Sequence, residues 1–192
     1  MQLSHSIQMM GTTIDILIDS DTPKEHIAEV CRLLTLYKNR FSANDADSEL
    51  MVINDNSSIA PVTVHPDLFD LIAIGKKHSL ATPSNLNIAI GPLVQSWRIG
   101  FDDARVPSPQ KIQKALALSK PENIILDATK QSVFLSQKGM KIDLGALAKG
   151  YIADKIMDYL KSEKVTSAMI NLGGNVLVYG DNPRNDKGIW RI

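Results

Sequence analysis

Ile124-Ile125-Leu126-Asp127-Ala128-Thr129-Lys130-Gln131-Ser132-Val133-Phe134-Leu135 places two short apolar runs on either side of a polar turn. Runs of this length, bounded by turn-forming residues, read as a β-hairpin of Ile124 to Leu126 against Val133 to Leu135, turning around Ala128 to Gln131. An antiparallel pair does not belong in a purely parallel doubly wound sheet, whose strands are joined by crossover helices. Helix and strand patterns nevertheless alternate through the rest of the chain. The class that accommodates both is α+β, with mixed or antiparallel sheets layered against helices.

On the N-terminal side, Ile7 to Ile18 is a β-rich stretch in which Ile14, Ile16 and Ile18 share a face. Gly11 falls inside it, which marks either a bulge or a close approach of ligand or backbone. Thr22-Pro23-Lys24-Glu25 is a capping box with proline at the first helical position, and Ile27, Val30, Cys31, Leu34 and Tyr37 follow at helical spacing to about Arg40. Ser48 to Asn54 reads as a short helix, Pro66 opens another, and Asn87 to Ile90 reads as a short buried strand stopped by Gly91-Pro92. Trp97 is expected in the core. Ser108-Pro109 caps a helix to about Leu118. On the C-terminal side a helix runs from about Ala146 to Lys161. Strands at Ala168 to Leu172 and Val176 to Tyr179 then flank a glycine turn. Gly188 to Ile192 reads as the start of a strand with no terminating signal, the pattern of a chain that continues, and such a chain is expected to expose apolar surface and self-associate. No repeat or low-complexity segment interrupts these elements, so residues 1–192 are expected to form one domain.

Composition narrows the function classes. The 192 residues are 44% hydrophobic and 22% charged, as in a globular protein with a real core. Lys+Arg and Asp+Glu balance at 21 each, so no net field gathers nucleic acid or an anionic membrane. Cys31 is the only cysteine, which excludes an intrachain disulfide; on the apolar side of its helix it reads as a buried structural thiol. The start of the chain has no basic or apolar leader pattern and no lipobox cysteine, and no apolar run approaches the ~20 residues that span a bilayer. A soluble, cytoplasmic protein without a membrane span is expected. The four histidines are scattered without metal-ligand spacing, and no Ser/His/Asp or Cys/His set stands out.

Lys141-Ile142-Asp143-Leu144-Gly145-Ala146-Leu147-Ala148-Lys149-Gly150-Tyr151 is the segment richest in chemistry. It reads as a short strand ending at Asp143, a glycine turn, and a helix opening with small residues. A helix N-terminus offers unpaired N–H groups and partial positive charge to a phosphate or pyrophosphate. Lys149 can add a positive charge, and Asp143 can accept from a ligand hydroxyl or amine. The same spacing also fits an ordinary strand–helix connection with a capping Asp and a surface Lys. Asn171-Leu172-Gly173-Gly174-Asn175 fits either a tight turn or a close approach to ligand.

Five segments in this order resemble the ApbE family, the FAD:protein FMN transferases once called thiamine-biosynthesis lipoproteins. They are Met10-Gly11-Thr12; Asp47-Ser48-Glu49-Leu50 with Ile53-Asn54; Gly91-Pro92-Leu93-Val94 with Trp97; Asp143 to Ala146 with Ala148 to Tyr151 and Asp154; and Asn171 to Asn175. The resemblance implies a T-fold-like α+β architecture and a Mg²⁺-dependent transfer of FMN from FAD to a Thr or Ser hydroxyl of a target flavoprotein, with AMP leaving. It further implies that Met10, Asn85, Leu86, Asn87, Asp143 and Lys149 face the flavin nucleotide, with Asp143 and Lys149 serving catalysis. Ala146 would offer its carbonyl to Mg²⁺. FAD and a flavoprotein acceptor are the implied partners, and a second copy of the chain is an open option. Members are often membrane-anchored exported lipoproteins.

The sequence departs from the family pattern in three places. Asn44 stands where members carry an aromatic residue that packs on FAD. Asn87-Ile88-Ala89 replaces Asp-x-Thr. Family members continue past Ile192 into a His-x-x-Asp-Pro-x-Thr-Gly-like segment, then an Asp and a Thr that complete the metal shell. The 192 residues alone are therefore expected to bind FAD but transfer flavin poorly, since Mg²⁺ needs near-octahedral oxygen coordination. An FAD-hydrolysing pyrophosphatase and an inactive flavin-binding module are the alternatives.

Overall fold

The structure, a computed structural model, describes residues 1–192. The chain divides into two compact units, one of residues 1–38 with 148–192 and one of residues 39–147.

The first unit is built on a four-stranded antiparallel sheet in the order β1-β2-β6-β7. Its strands are β1 (Gln2–Met9), β2 (Thr12–Asp19), β6 (Ser167–Leu172) and β7 (Asn175–Tyr179). The opening β-rich stretch is thus a hairpin and not one strand. Met10 and Gly11 are its two-residue turn, with φ of 53° and 71°, the pair of positive values that a type I′ turn demands. Gly173 and Gly174 turn the second hairpin in the same way, with φ of 60° and 97°. Ile14, Ile16 and Ile18 alternate onto one face of β2 and are buried, as are Ala168, Ile170 and Leu172 of β6. Helix α1 (Pro23–Phe41) buries the stripe Ile27, Val30, Leu34 and Tyr37. Helix α6 (Ala148–Ser162) packs on β6 and β7 and buries Ile152, Ala153, Ile156, Met157 and Leu160. Cys31 is half-buried and free, and burial pushes its thiol pKa up.

The second unit holds β3 (Val62–Thr63), β4 (Ile124–Asp127) and β5 (Ser132–Leu135) in the antiparallel order β3-β5-β4, so the 124–135 hairpin forms as read. Around it lie α2 (Glu49–Asp55), α3 (Pro66–Leu80), α4 (Gly91–Trp97) and α5 (Pro109–Ala117). Ser48 and Ser108 cap α2 and α5 through their side chains. Leu50, Ile53, Leu68, Leu71, Ile72, Ile88, Ile124, Val133, Leu135, Ile142 and Leu144 form the apolar interior. The two-residue β3 has too short a pattern to be read from sequence. The fold is α+β with antiparallel sheets, as expected.

Four local expectations are corrected. Residues 88–90 form one turn of 3₁₀ helix, because Asn87 Oδ1 accepts from Ala89 N at 2.9 Å and caps a turn where a strand would need a neighbour. Residues 141–144 are extended but join no sheet, and α6 begins at Ala148, after a turn at Gly145 to Leu147. Trp97 is half-buried at the end of a short helix and not in the core. Residues 189–192 form no strand; the Ile189 carbonyl instead accepts from the Asn182 and Asn185 side chains at 3.2 and 3.1 Å.

Candidate functional site

In the first unit, three of the singled-out segments meet at one end of the sheet. The register Ile14↔Leu172 sets the Met10–Gly11 turn beside the Gly173–Gly174 turn. The approach is close: a Cβ at Gly173 would lie 2.4 Å from Thr12 Oγ1, so only glycine fits there. Asn171 folds its side chain over this turn, accepting from Gly174 N at 2.8 Å, while its Nδ2 reaches Asp15 at 3.5 Å. Gly150, Ala153 and Asp154 of α6 then line an open hollow of about 360 Å³ with Gly174, Asn175, Val176 and Leu177. Lys149 is the second residue of α6, immediately before Gly150. Its side chain is half-buried and pairs with no carboxylate. A partly desolvated ammonium beside the positive end of a fifteen-residue helix attracts an anion.

In the second unit, Asp143 and the 85–89 segment come together. Asp143 N donates to Ile88 O at 2.9 Å, which places the half-buried Asp143 against the capped turn after Asn87. Asp143 Oδ1 accepts from Gly145 N at 2.8 Å, leaving Oδ2 for a ligand donor. Three polar side chains fix this arrangement. Asn54, only 3% exposed, holds both backbone groups of Ile142: Ile142 N donates to Oδ1 at 2.7 Å and Nδ2 donates to Ile142 O at 3.1 Å. Ser79 Oγ accepts from Ile88 N at 3.0 Å, and Asn87 Nδ2 donates to Ser119 O at 2.9 Å. Gly91 lies so close to Lys141 that a Cβ there would sit 2.6 Å from the Lys141 carbonyl oxygen. Asn85 is exposed and Leu86 half-buried, with Leu86 N donating to Ser84 Oγ at 3.1 Å.

Asn44 is exposed and accepts from Gln95 Nε2 at 3.1 Å. An amide tied to a neighbouring amide presents no ring on which a flavin or adenine could stack. Glu49, in the Asp47 to Leu50 segment, is structural: with Asp67 it accepts from Arg40, both at 3.2 Å, which ties α2 and α3 to the end of α1. Ala146 is in the exposed turn before α6. No group of three or more His, Cys, Asp or Glu is assembled to hold a metal. The Ala146 carbonyl and the free Asp143 Oδ2 would be two of the six oxygens that an octahedral Mg²⁺ shell takes.

The positioning roles of Asn54 and Ser79 are absent from the sequence reading. In the sequence Asn54 ends the short helix read over Ser48 to Asn54 and is part of the Ile53-Asn54 pair of the resemblance, yet a polar residue beside Leu50 and Ile53 on the buried face of such a helix is a signal that it must find a buried partner.

The ApbE family pattern matches residues 10–192. The chain belongs to the ApbE family. It is 45% identical over 179 residues to the FAD:protein FMN transferase of Klebsiella pneumoniae (strain 342), covering 93% of this chain and 56% of that protein. It is 34% identical to the FAD:protein FMN transferase of Treponema pallidum (strain Nichols), covering 94% of this chain and 53% of that one. The flavin transferase ApbE from Vibrio cholerae superposes with a TM-score of 0.88 at 26% identity, over all of this chain and 63% of that one. The ApbE protein from Thermotoga maritima gives 0.86 at 25% identity, over 95% and 60%. The chain thus spans about half the length of the transferases it matches in sequence. No helix is long and apolar enough to cross a membrane.

Proposed function

We propose that this chain supplies the flavin-nucleotide-binding part of an FAD:protein FMN transferase. The observation that carries the reading is Lys149, a half-buried, unpaired cation in the first turn of α6, within a family whose relatives bear that name. In the proposed reaction a Thr or Ser oxygen of the acceptor flavoprotein bonds to the phosphorus of the FMN half of FAD. The P–O bond to the adenylate breaks, AMP leaves with the bridging oxygen, and the hydroxyl gives up its proton. Mg²⁺, when bound, would neutralise pyrophosphate charge, with the Ala146 carbonyl and Asp143 Oδ2 among the oxygens open to it. Lys149 and the α6 N-terminus stabilise phosphate charge, and Asp143 Oδ2 accepts from a ligand or acceptor hydroxyl. Met10, Asn85, Leu86 and Asn87 line the nucleotide, and the exposed Asn44 contributes a hydrogen bond where stacking is lost. The nucleophile belongs to the acceptor.

Calorimetry with FAD is the first test. Lys149→Ala should weaken binding by ~1–3 kcal/mol, the scale of a hydrogen bond to a charged group; unchanged affinity would remove Lys149 from the site. Mass spectrometry of an acceptor flavoprotein incubated with the protein, FAD and Mg²⁺ is the second. An FMN adduct on Thr or Ser with equimolar AMP supports transfer. FMN and AMP without an adduct would mean hydrolysis, and bound FAD with no AMP would mean a binding module.

A further inference from the structure

Within residues 1–192, β1 is an edge strand that carries none of the usual defences against pairing. It is the outer member of the order β1-β2-β6-β7 and pairs with β2 without a bulge, from Gln2↔Asp19 to Met9↔Thr12. Soluble proteins blunt such edges with lysines, prolines, bulges or inward-facing charges. Gln2-Leu3-Ser4-His5-Ser6-Ile7-Gln8-Met9 contains no Lys, Arg, Asp, Glu or Pro. Only one side of its backbone is used. Met1 and Ser20 exchange both hydrogen bonds, Met1 N to Ser20 O at 2.7 Å and Ser20 N to Met1 O at 3.0 Å, and Met9 and Thr12 flank the two-residue turn. Antiparallel ladders alternate, so the odd-numbered residues of β1 bond to β2, while Gln2, Ser4, Ser6 and Gln8 turn N–H and C=O outward.

The strand is also a palindrome. Gln2-Leu3-Ser4-His5-Ser6-Ile7-Gln8 reads alike in both directions apart from the exchange of leucine and isoleucine. Two copies laid antiparallel about His5 set Ser4 opposite Ser6, Gln2 opposite Gln8 and Leu3 opposite Ile7, with His5 facing its own counterpart. In this register the outward-facing residues meet one another: Ser4–Ser6 and Gln2–Gln8 become hydrogen-bonded pairs, and His5 is the non-hydrogen-bonded pair on the two-fold axis. Leu3 and Ile7, half-exposed on the same face as the buried Ile14, Ile16 and Ile18, gain cross-strand apolar partners. Self-complementarity of this kind is what an isologous two-fold interface requires.

We propose that β1 is a homodimerisation strand, through which two copies of this chain pair antiparallel about His5 and join their four-stranded sheets into one. The contact is about 27 Å of strand, narrow for a permanent interface, so the dimer is concentration-dependent.

Sedimentation velocity from micromolar to submillimolar protein should show a reversible monomer–dimer equilibrium. Ser4→Pro removes an outward N–H from each copy without touching the ladder to β2; losing two hydrogen bonds should raise the dimer Kd about thirtyfold, with the far-UV spectrum and Tm unchanged. His5→Lys and His5→Glu each set like charges across the axis and should each weaken the dimer about fivefold. An equimolar mixture of the two should form a mixed dimer tighter than either alone, the effect being largest in the His5-centred register. The proposal is overturned if the wild-type chain stays monomeric throughout, as it would with β1 covered by another segment or another protein. A dimer indifferent to Ser4→Pro, or a charge-swapped mixture no tighter than its components, overturns it equally.

Discussion

The unit of residues 1–38 with 148–192 and the unit of residues 39–147 hold their candidate residues in place by different means. In the first, Met10 and Asn171 to Asn175 sit at turns between strands paired residue by residue, from Met9↔Thr12 to Leu172↔Asn175. The backbone ladder itself fixes where these residues are. In the second, Asn87 and Asp143 lie on chain that belongs to no strand, and side chains from distant positions hold it. Asn54 bonds Ile142 across 88 residues of sequence, and Asn87 bonds Ser119 across 32. The contrast is between residues placed by many ladder bonds and residues placed by a few side-chain bonds. Deleting one side chain should therefore damage the second unit more than the first.

Asn54→Ala is the most severe test. It leaves the N–H and C=O of buried Ile142 without partners, each worth ~1–3 kcal/mol. A loss of roughly 2–4 kcal/mol in urea unfolding is expected, and hydrogen exchange should quicken at residues 140–144 while β2 and β6 keep their protection. Exchange that quickens equally in β2 would dissolve the distinction between the units. Gly173→Ala should cost about 2 kcal/mol, combining the penalty for an L-residue at φ +60° with the clash against Thr12. At this position the first unit should prove as intolerant as the second. Near-neutral thermal unfolding of that variant would show that the two hairpin turns are not in contact.

Ser79→Ala should be milder, about 1 kcal/mol, because it removes one acceptor for Ile88 N while the capped turn at Asn87 remains. Its informative readout is FAD affinity: a drop larger than the stability loss would show that Ser79 positions the 85–89 segment for the nucleotide. The smallest effect concerns Cys31. Burial raises its pKa, so less thiolate is present at neutral pH, and alkylation should be slower than for a free cysteine, with its rise displaced to higher pH. Alkylation as fast as that of an unstructured peptide would mean that α1 frays around Cys31.

Legibility in the sequence follows the same division. The helices at Pro23, Ser48, Pro66 and Ser108 were readable because proline and serine caps act within four residues of where they stand. The hairpins at residues 124–135 and 167–179 were readable because period-two patterns flank recognisable turns. The first hairpin escapes local sequence because Gln2 to Met9 alternates only weakly, and Met10 is an uncommon residue at positive φ, so nothing local announces the turn. Residues 88–90 and 141–144 resemble strands in the sequence because short apolar runs look alike whether or not a partner strand exists.

The amino-acid sequence alone identifies an α+β member of the ApbE family through its ordered motifs and local periodicity. It also carried the palindrome of β1, though not the fact that β1 is an edge. Packing in three dimensions adds that Asn54 and Ser79 hold the chain around Asp143 and Ile88, that Gly173 must clear Thr12, and that Asn44 bonds Gln95. The physical reason is distance along the chain. Caps and turns are chosen by residues a few positions apart, whereas a buried N–H accepts whichever oxygen the fold brings to it, and local sequence does not say which that will be.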